Sequence, residues 1–331
     1  MSNSREAVRR RTVIATLAGA AAARPLLAQA AAPARLAFIA PGTARTEVPM
    51  IAALHAGLAE NGLKDGRDYV LDVYYAEGEY SRFPALTQAA LATKPAMLLV
   101  VTIASVRAAQ QATTTVPIVF MATNDPVGAR LIDSLAHPGG NTTGVATMAD
   151  DAVPKLVELM RTALPQAHTL AVLINPLNAT NRPIFERVRA AGASIGLETR
   201  AIELSTPEGL EAAFGPPSAR QPDALLVVAD ALFQQLAGRI AALGIERRIA
   251  VIGPARNMAE AGALMSYGAA FTTLVRRSMY YVKRILAGAR PGDLPVEQPT
   301  AFDLVINLRT AKALGLTLPQ TLLASADDLI Q

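Results

Sequence analysis

The sequence Leu36-Ala-Phe-Ile-Ala-Pro41 returns in similar form 134 positions later, as Leu170-Ala-Val-Leu-Ile-Asn175. Two further pairs of apolar runs follow in the same order at nearly the same offset: residues 97–101 with 224–228, and 117–121 with 249–253. Short apolar runs separated by helical patterns are typical of parallel βαβ units, whose strands are buried on both faces. The matched order therefore predicts two similar α/β lobes. The alternative is two unrelated βαβ runs, which look alike because Leu and Val fill both.

Strands and helices are predicted around these runs in both halves of the chain. The predicted strands cover residues 36–40, 69–74, 97–101 and 118–121 in the first half, and 170–174, 198–202, 224–228 and 249–252 in the second. A turn-rich boundary at 138–144 separates the halves, and a helical pattern at 231–243 precedes the last strand of the second. This alternation predicts an α/β fold of two Rossmann-like lobes with parallel sheets.

The last part of the sequence contains too few elements for a third domain. It holds a predicted strand at 264–267, a helix at 274–286, a Pro/Gly-rich connector at 288–299, a strand at 303–307 and a helix at 310–314. These elements must complete the two sheets, so the chain crosses between the lobes more than once and forms a hinge with a cleft. We expect residues 34–144 with 270–296 to form the first lobe, and 145–269 with 297–331 the second.

The first thirty residues have the three parts of a signal peptide. An uncharged, Ala-rich stretch at 13–23 is followed by Ala28-Gln29-Ala30, the small-residue pattern that signal peptidase requires. The basic residues that precede the stretch are Arg5, Arg9, Arg10 and Arg11. The sequence Arg10-Arg11-Thr12-Val13-Ile14 also fits a loose twin-arginine pattern, so two export routes stay open. We expect cleavage near Ala30 and a periplasmic location.

The net charge of +4 belongs entirely to this leader. Residues 1–30 contain five arginines and one glutamate, and the remaining chain carries 26 basic and 26 acidic residues. A mature chain of zero net charge does not favour nucleic acid as a partner. It also contains no run of about 20 apolar residues, the length that a membrane span needs.

The composition excludes several kinds of reactive site. The chain has no cysteine, so it has no disulfide, thiolate metal site, iron–sulfur cluster or cysteine nucleophile. Its three histidines, His55, His137 and His168, lie far apart and lack the i, i+4 spacing of a metal pair. Ser194 lies in a G-x-S-x-G pattern, but a predicted helix precedes it, whereas a nucleophile elbow follows a strand. We therefore predict no metal, no cofactor and no catalytic residue.

Candidate ligand-binding residues lie where the predicted strands end, because open parallel sheets bind ligands beyond the carboxyl ends of their strands. They are Gly42, Thr43, Tyr75, Thr102, Ala104, Ser105, Thr123, Asn124 and Asp125 in the first lobe, and Asn175, Asn178, Asp230, Arg256 and Tyr267 in the second. Small and polar residues before a helix offer backbone N–H groups to an anion. The alternative for each is a helix cap, since Ser, Thr, Asn and Asp are preferred N-caps.

The residue types suggest how these positions divide a small ligand. Asp230 would accept an ammonium group, and Arg256 or Arg45 would pair with a carboxylate. Tyr267 or Tyr75 would form a wall against an apolar part. The hydroxyl and amide donors to a carboxylate would be Thr102, Ser105 and Asn124.

Several longer stretches carry a resemblance to a known family. They are Tyr75-Ala-Glu-Gly78 with Phe83-Pro-Ala-Leu86, Thr115-Val-Pro-Ile-Val-Phe120, Asp125-Pro-Val127, Leu135-Ala-His-Pro-Gly-Gly-Asn-Thr-Thr-Gly-Val145, Leu170-Ala-Val-Leu-Ile-Asn-Pro176 and Pro299-Thr-Ala-Phe-Asp-Leu-Val-Ile-Asn-Leu-Arg-Thr-Ala-Lys-Ala-Leu-Gly-Leu316. With them the chain resembles the substrate-binding proteins of bacterial ABC transporters, specifically the exported tryptophan/tyrosine-type family. The resemblance implies a type I periplasmic-binding-protein fold with three crossovers, closure on a small ligand, and docking on an ABC permease in the inner membrane.

These observations predict a monomeric, non-enzymatic solute-binding receptor for an amino acid or an aromatic or carboxylate compound. An exported two-lobed enzyme, such as a hydrolase or racemase, would need a paired base or nucleophile. The effector domain of a repressor shares this fold, but it would need an N-terminal helix-turn-helix where the leader stands.

Overall fold

Two β-sheets organise the part of the chain that the computed structural model describes, residues 32–147, 149–216 and 220–331. The predicted signal peptide at 1–30 lies outside these residues. No helix among the described residues has both the length and the apolar character to cross a membrane.

The first sheet has five parallel strands in the order β2-β1-β3-β4-β5. They are β1 (Ala34–Ala40), β2 (Tyr69–Tyr75), β3 (Met97–Val100), β4 (Ile118–Asn124) and β5 (Thr142–Thr147). Three helices connect them: α1 (Val48–Glu60), α2 (Phe83–Ala92) and α3 (Ile103–Ala112), with a short 3₁₀ turn at Tyr80–Arg82 before α2. Leu36 and Phe38 pack on one face of the sheet and Ala37 and Ile39 on the other. Because both faces of the sheet are buried, β1 is apolar at every position from Leu36 to Ala40.

The second sheet has seven strands in the order β12-β11-β10-β9-β8-β6-β7. The elements in chain order are α4 (Ala149–Ala163), β6 (Thr169–Ile174), α5 (Asn181–Ser194), β7 (Glu198–Glu203), α6 (Leu210–Phe214), β8 (Ala224–Val227), α7 (Ala231–Gln235), α8 (Ala237–Glu246), β9 (Ala250–Gly253), α9 (Arg256–Glu260), β10 (Met265–Gly268), α10 (Phe271–Leu286), β11 (Asp303–Asn307), α11 (Leu308–Ala313), α12 (Gln320–Ala324) and β12 (Asp328–Ile330). Short 3₁₀ turns lie at Pro207–Gly209 and Pro291–Asp293.

One pair of strands departs from the predicted parallel arrangement. β11 runs antiparallel to β10, and Asp303 at its start pairs with Gly268 at the end of β10. The chain returns to the second sheet from the first lobe, so it enters at the edge where β10 has just ended. A strand that enters at that edge must run in the opposite direction.

The chain crosses between the two sheets three times. It leaves the first sheet after β5, returns after β10 into α10, which packs against α1, β4 and β5, and leaves again before β11. The third crossing runs beside the end of β5, where the Ala146 N–H donates to the Glu297 carbonyl at 2.8 Å. Arg277 of α10 makes two bonds of 2.6 and 2.7 Å to the Glu297 carboxylate. Glu297 therefore links the third crossing to β5 and α10, while the residue limits of the two lobes stay a prediction.

Some elements differ from their sequence-based prediction for identifiable reasons. Strand β5 overlaps the predicted turn at 138–144, because its sequence Thr-Thr-Gly-Val-Ala-Thr has no apolar run. The predicted helix at 231–243 is two helices, α7 and α8, which meet at Leu236. Strand β12 was not predicted, since three residues are too short for a pattern.

Candidate functional site

A buried carboxylate, Asp230, lies at the centre of a polar network at the carboxyl edge of the second sheet. Asp230 follows β8 and is 5% exposed. Its Oδ1 accepts the Leu232 N–H at 2.9 Å, so the residue caps α7. Its Oδ2 accepts the Asn178 side-chain amide at 2.8 Å and the Tyr80 hydroxyl at 3.1 Å. The Asn175 amide donates to both oxygens, at 3.2 and 3.3 Å.

The loop after β6 is shaped by its asparagines. The Oδ1 of Asn175 accepts the Leu177 N–H at 3.0 Å, and the Oδ1 of Asn178 accepts the Thr180 N–H at 3.1 Å. Both are turns in which an Asn side chain replaces a backbone acceptor. Because the oxygens are engaged locally, the amide nitrogens point to Asp230. Asn181 fixes the loop from below, accepting the Asn175 N–H at 2.8 Å.

Burial is the largest cause of the pKa shifts of Asp230 and Tyr80, the two groups that meet between the lobes. It raises the pKa of Asp230, although its hydrogen bonds to Asn178 and Asn175 act in the opposite direction. It also raises the pKa of Tyr80, and the neighbouring Asp230 carboxylate adds to the shift. The Tyr80 hydroxyl therefore keeps its proton and donates a hydrogen bond to Asp230.

Helix α3 in the first lobe begins with a closed capping box. The Thr102 hydroxyl accepts the Ser105 N–H at 3.1 Å, and the Ser105 hydroxyl accepts the Thr102 N–H at 3.0 Å. Ser105 is fully buried, and Ala104 is half-buried against the core of the first lobe. The helix-cap interpretation therefore holds for Thr102 and Ser105.

The loop after β1 contains a second buried carboxyl group. Glu47 is 5% exposed, and its Oε1 accepts the Gly42 N–H at 2.7 Å. Its Oε2 is buried and has no hydrogen-bond partner among the described residues. Burial raises the pKa of Glu47, against the effect of the Gly42 bond. Thr43 forms a local turn, in which its N–H donates to the Thr46 hydroxyl at 2.9 Å.

The three candidates at the end of β4, Thr123, Asn124 and Asp125, each form a hydrogen bond within the protein. The Thr123 hydroxyl donates to the Val101 carbonyl at 2.5 Å and is buried with it. The Oδ1 of Asn124 accepts the Ala149 N–H at 3.2 Å, which places it at the first crossing between the sheets. The Oδ1 of Asp125 accepts the Gly128 N–H at 2.9 Å in an exposed loop.

The remaining candidates lie at other places along the sheet edges. Arg256 pairs with Asp328 at 2.6 Å, so a ligand carboxylate would compete with this ion pair. Tyr267 stacks on Phe302 with ring centres 5.7 Å apart. Tyr75 ends β2 and is half-buried against the core of the first lobe.

The structure thus brings together three of the predicted residues, Asn175, Asn178 and Asp230, and leaves the others in separate local contacts. Sequence reasoning missed Tyr80, which reaches Asp230 from 150 positions away. It also missed Phe302 and Glu47; a Glu before Pro at a helix start was the available signal for the latter. No group of three or more His, Asp or Glu side chains in the described part of the chain is arranged to hold a metal ion.

Comparison with known proteins identifies the family. The profile of the family described as ABC transporter substrate binding protein matches residues 47–330. A protein named "Tyrosine-binding protein" from Clostridioides difficile is 25% identical over 259 residues, which cover 78% of this chain and 74% of the relative.

Solved structures show the same fold. A conserved domain protein of Vibrio cholerae is 27% identical, with a TM-score of 0.83 over 89% of this chain and 99% of that protein. An ABC domain of Streptococcus pneumoniae in complex with L-Trp is 23% identical, with a TM-score of 0.83 over 90% of this chain and all of that one. The predicted two-lobed fold is confirmed.

Proposed function

The chain belongs to the ABC transporter substrate-binding protein family, and on that premise we propose that it is an exported receptor for an aromatic amino acid. In this proposal it binds its ligand in the cleft between the lobes, closes on it, and delivers it to an ABC permease in the inner membrane. It acts as a monomer and performs no chemistry on the ligand. The tyrosine-binding relative and the tryptophan-bound neighbour support the ligand class.

The observation that carries the proposal is the position of Asp230. It is a buried carboxylate at the carboxyl edge of the second sheet, and it faces the first lobe through Tyr80. An ammonium group is the ligand feature that such a carboxylate recognises. The α3 N-terminus, with Thr102 and Ser105, would receive the ligand carboxylate. Tyr267, stacked on Phe302, offers an aromatic wall for the side chain.

The other cleft residues have supporting places in the proposal. Asn175 and Asn178 would orient Asp230, and Asn124 would donate to the ligand carboxylate from the first crossing. Six further residues would shape the loops around the ligand and make no charged contact with it. They are Gly42, Thr43, Tyr75, Ala104, Thr123 and Asp125. Arg256 would contribute only if the ligand released it from Asp328.

The absence of tryptophan from the chain provides a direct assay. Indole fluorescence of L-tryptophan then reports on the ligand alone, and a titration gives its dissociation constant. In a thermal-shift measurement, ligand at about 100 times its dissociation constant should add roughly 2.7 kcal/mol to the free energy of unfolding. The ligand should be recovered unchanged. No stabilisation by any aromatic amino acid, or turnover of one, would contradict the proposal.

The ammonium contact has its own test. We expect Asp230→Asn to weaken the binding of L-tryptophan by about tenfold or more, since a hydrogen bond to a charged group contributes about 1.5–3 kcal/mol. The binding of indole-3-propionate, which lacks the ammonium group, should change much less. Equal losses for both compounds would show that Asp230 does not recognise the ammonium group.

Export is the remaining part of the proposal. We propose cleavage near Ala30, by either the general or the twin-arginine route. N-terminal sequencing of the periplasmic protein tests the site, and replacement of Arg10 and Arg11 by Lys distinguishes the routes, because only twin-arginine export should stop.

A further inference from the structure

Tyr80 is a first-lobe residue that enters the polar network of the second lobe. It lies in the 3₁₀ turn between β2 and α2, and its ring packs on Phe83 with ring centres 5.4 Å apart. Phe83 is buried in the core of the first lobe, so the tyrosine ring is fixed to that lobe. Its hydroxyl nevertheless lies 3.1 Å from the Oδ2 of Asp230.

Asp230 accepts hydrogen bonds from four groups of the protein. The donors are the Leu232 N–H, the Asn175 amide, the Asn178 amide and the Tyr80 hydroxyl. The first three belong to the second lobe, as Asp230 does. Tyr80 is the one donor among the four that comes from the first lobe, so it is the one that separation of the lobes would remove.

A second bond strengthens this contact between the lobes. The Asn178 amide donates to the Tyr80 hydroxyl oxygen at 3.2 Å, so the hydroxyl both accepts from and donates to the second lobe. The preceding loop approaches α7 as well, since a side-chain carbon added at Gly78 would lie 3.5 Å from the Gln235 amide oxygen. The segment from Gly78 to Tyr80 therefore follows the surface of the second lobe.

We infer that the hydrogen bond from Tyr80 to Asp230 is a latch, which holds the lobes closed by a contact that involves no ligand atom. The inference rests on the proposed function, and Tyr80 acts in it as a positioning residue. In the open form water would replace Tyr80 at Asp230. In the closed form the bond is charge-assisted and sheltered, so it favours closure. A contact that favours closure alone raises the affinity for every ligand by the same factor and slows its release.

The latch is tested by Tyr80→Phe, which removes the hydroxyl and keeps the ring against Phe83. We expect the dissociation constants of L-tryptophan and indole-3-propionate to rise by a similar factor, about tenfold, mainly through faster release. Stopped-flow indole fluorescence measures both. The matched control is Tyr74→Phe in β2, whose hydroxyl is not among the four donors to Asp230. Equal melting temperatures of the two variants would show that the fold is unaffected.

A ligand-free measurement separates this inference from the proposed function. The chain has no cysteine, so Gln111→Cys on α3 and Ala193→Cys on α5 allow one spin label in each lobe. We expect Tyr80→Phe to shift the distance distribution of the ligand-free protein toward the open form, and Tyr74→Phe to leave it unchanged. This result does not depend on which ligand the protein takes.

Two outcomes would overturn the latch. Tyr80→Phe could leave both release rates and the ligand-free distances as they are in the wild-type protein. Alternatively, Tyr80→Phe could tighten the binding of L-tryptophan and leave that of indole-3-propionate unchanged, which would make Tyr80 a competitor of the ligand ammonium at Asp230. Failure of the proposed function would be seen differently, as a wild-type protein that binds no aromatic amino acid.

Discussion

The carboxyl edges of the two sheets carry similar residues, but these residues are connected differently. In the second lobe, Asn175 and Asn178 share one acceptor, Asp230, and Tyr80 joins them from outside. In the first lobe the polar residues form separate local contacts, such as the capping box of Thr102 with Ser105 and the bond from Gly42 to Glu47. Polar residues at the edge of the second sheet therefore share one acceptor, whereas those at the edge of the first sheet make separate bonds.

The two buried carboxyl groups make the contrast specific. Glu47 and Asp230 are equally buried, and burial raises the pKa of each. Asp230 has four donors around it, whereas Glu47 has Gly42 and one oxygen without a partner among the described residues. A carboxylate held by four donors is a group that the surrounding loops are built around. The carboxyl group of Glu47, with one donor, makes a smaller contribution to the structure of its loop.

The largest effect is expected at the centre of the network. We expect Asp230→Ala to lower the free energy of unfolding by about 3 kcal/mol or more. It removes a helix cap, typically about 1 kcal/mol, and leaves buried amide and hydroxyl donors unsatisfied at about 1–3 kcal/mol each. Urea denaturation measures the loss. Asp230→Asn keeps an acceptor oxygen and should lose clearly less; equal losses would mean that the shared acceptor does not matter.

Double-mutant cycles test whether polar residues at the carboxyl edge of the second sheet are more strongly coupled than those at the edge of the first. We expect Asn175→Ala and Asn178→Ala to be non-additive by about 1 kcal/mol, because both donate to Asp230. The matched pair in the first lobe, Thr43→Ala and Thr102→Ala, should add within about 0.5 kcal/mol, because the Thr43 hydroxyl accepts the Thr46 N–H of its own turn and the Thr102 hydroxyl accepts the Ser105 N–H of α3. Similar coupling in both pairs would remove the distinction between the lobes.

The smallest effect is expected at Glu47. Its raised pKa means that the folded protein binds this proton more tightly than the unfolded chain does. The wild-type free energy of unfolding should therefore fall as the pH rises from the ordinary pKa of a glutamate through the raised pKa, and then level off. Glu47→Gln lacks this decrease and should be more stable near neutral pH, by less than about 1 kcal/mol.

Melting temperatures of the two proteins between pH 4 and pH 8 measure this difference. The control is Glu198→Gln on β7, where the side chain is exposed. A constant gap between wild type and Glu47→Gln at every pH would mean that the carboxyl group of Glu47 does not titrate differently on folding.

The fold could be predicted from the sequence because the information is local. Residues 36–40, 97–101 and 224–228 are apolar at every position, and a strand buried on both faces needs that pattern. The grouping of Asn175 with Asp230 was also within reach, because β6 and β8 are neighbours and their carboxyl ends meet at one edge. The orientation of β11 was not, since it depends on the path of the chain through the other lobe.

The geometry of the site depends on contacts that no sequence pattern contains. The bond from Tyr80 to Asp230 joins residues 150 positions apart in different lobes. Arg256 was expected to face a ligand, but its partner Asp328 belongs to a strand too short to predict. The helix-cap alternative describes Thr102 and Asp230 correctly, and for Asp230 the capped Leu232 N–H is only one of four groups that donate to it.

The hydrogen bonds of Glu297 bear on how the two lobes can move. Three crossings without contacts to the neighbouring elements would allow the lobes to slide, tilt and rotate against each other. Here the Glu297 backbone is bonded to Ala146 of β5, and its carboxylate is bonded to Arg277 of α10. The segment that leads to β11 is therefore fixed to β5 and α10 at Glu297, so we expect any bending of this segment to occur between Glu297 and β11.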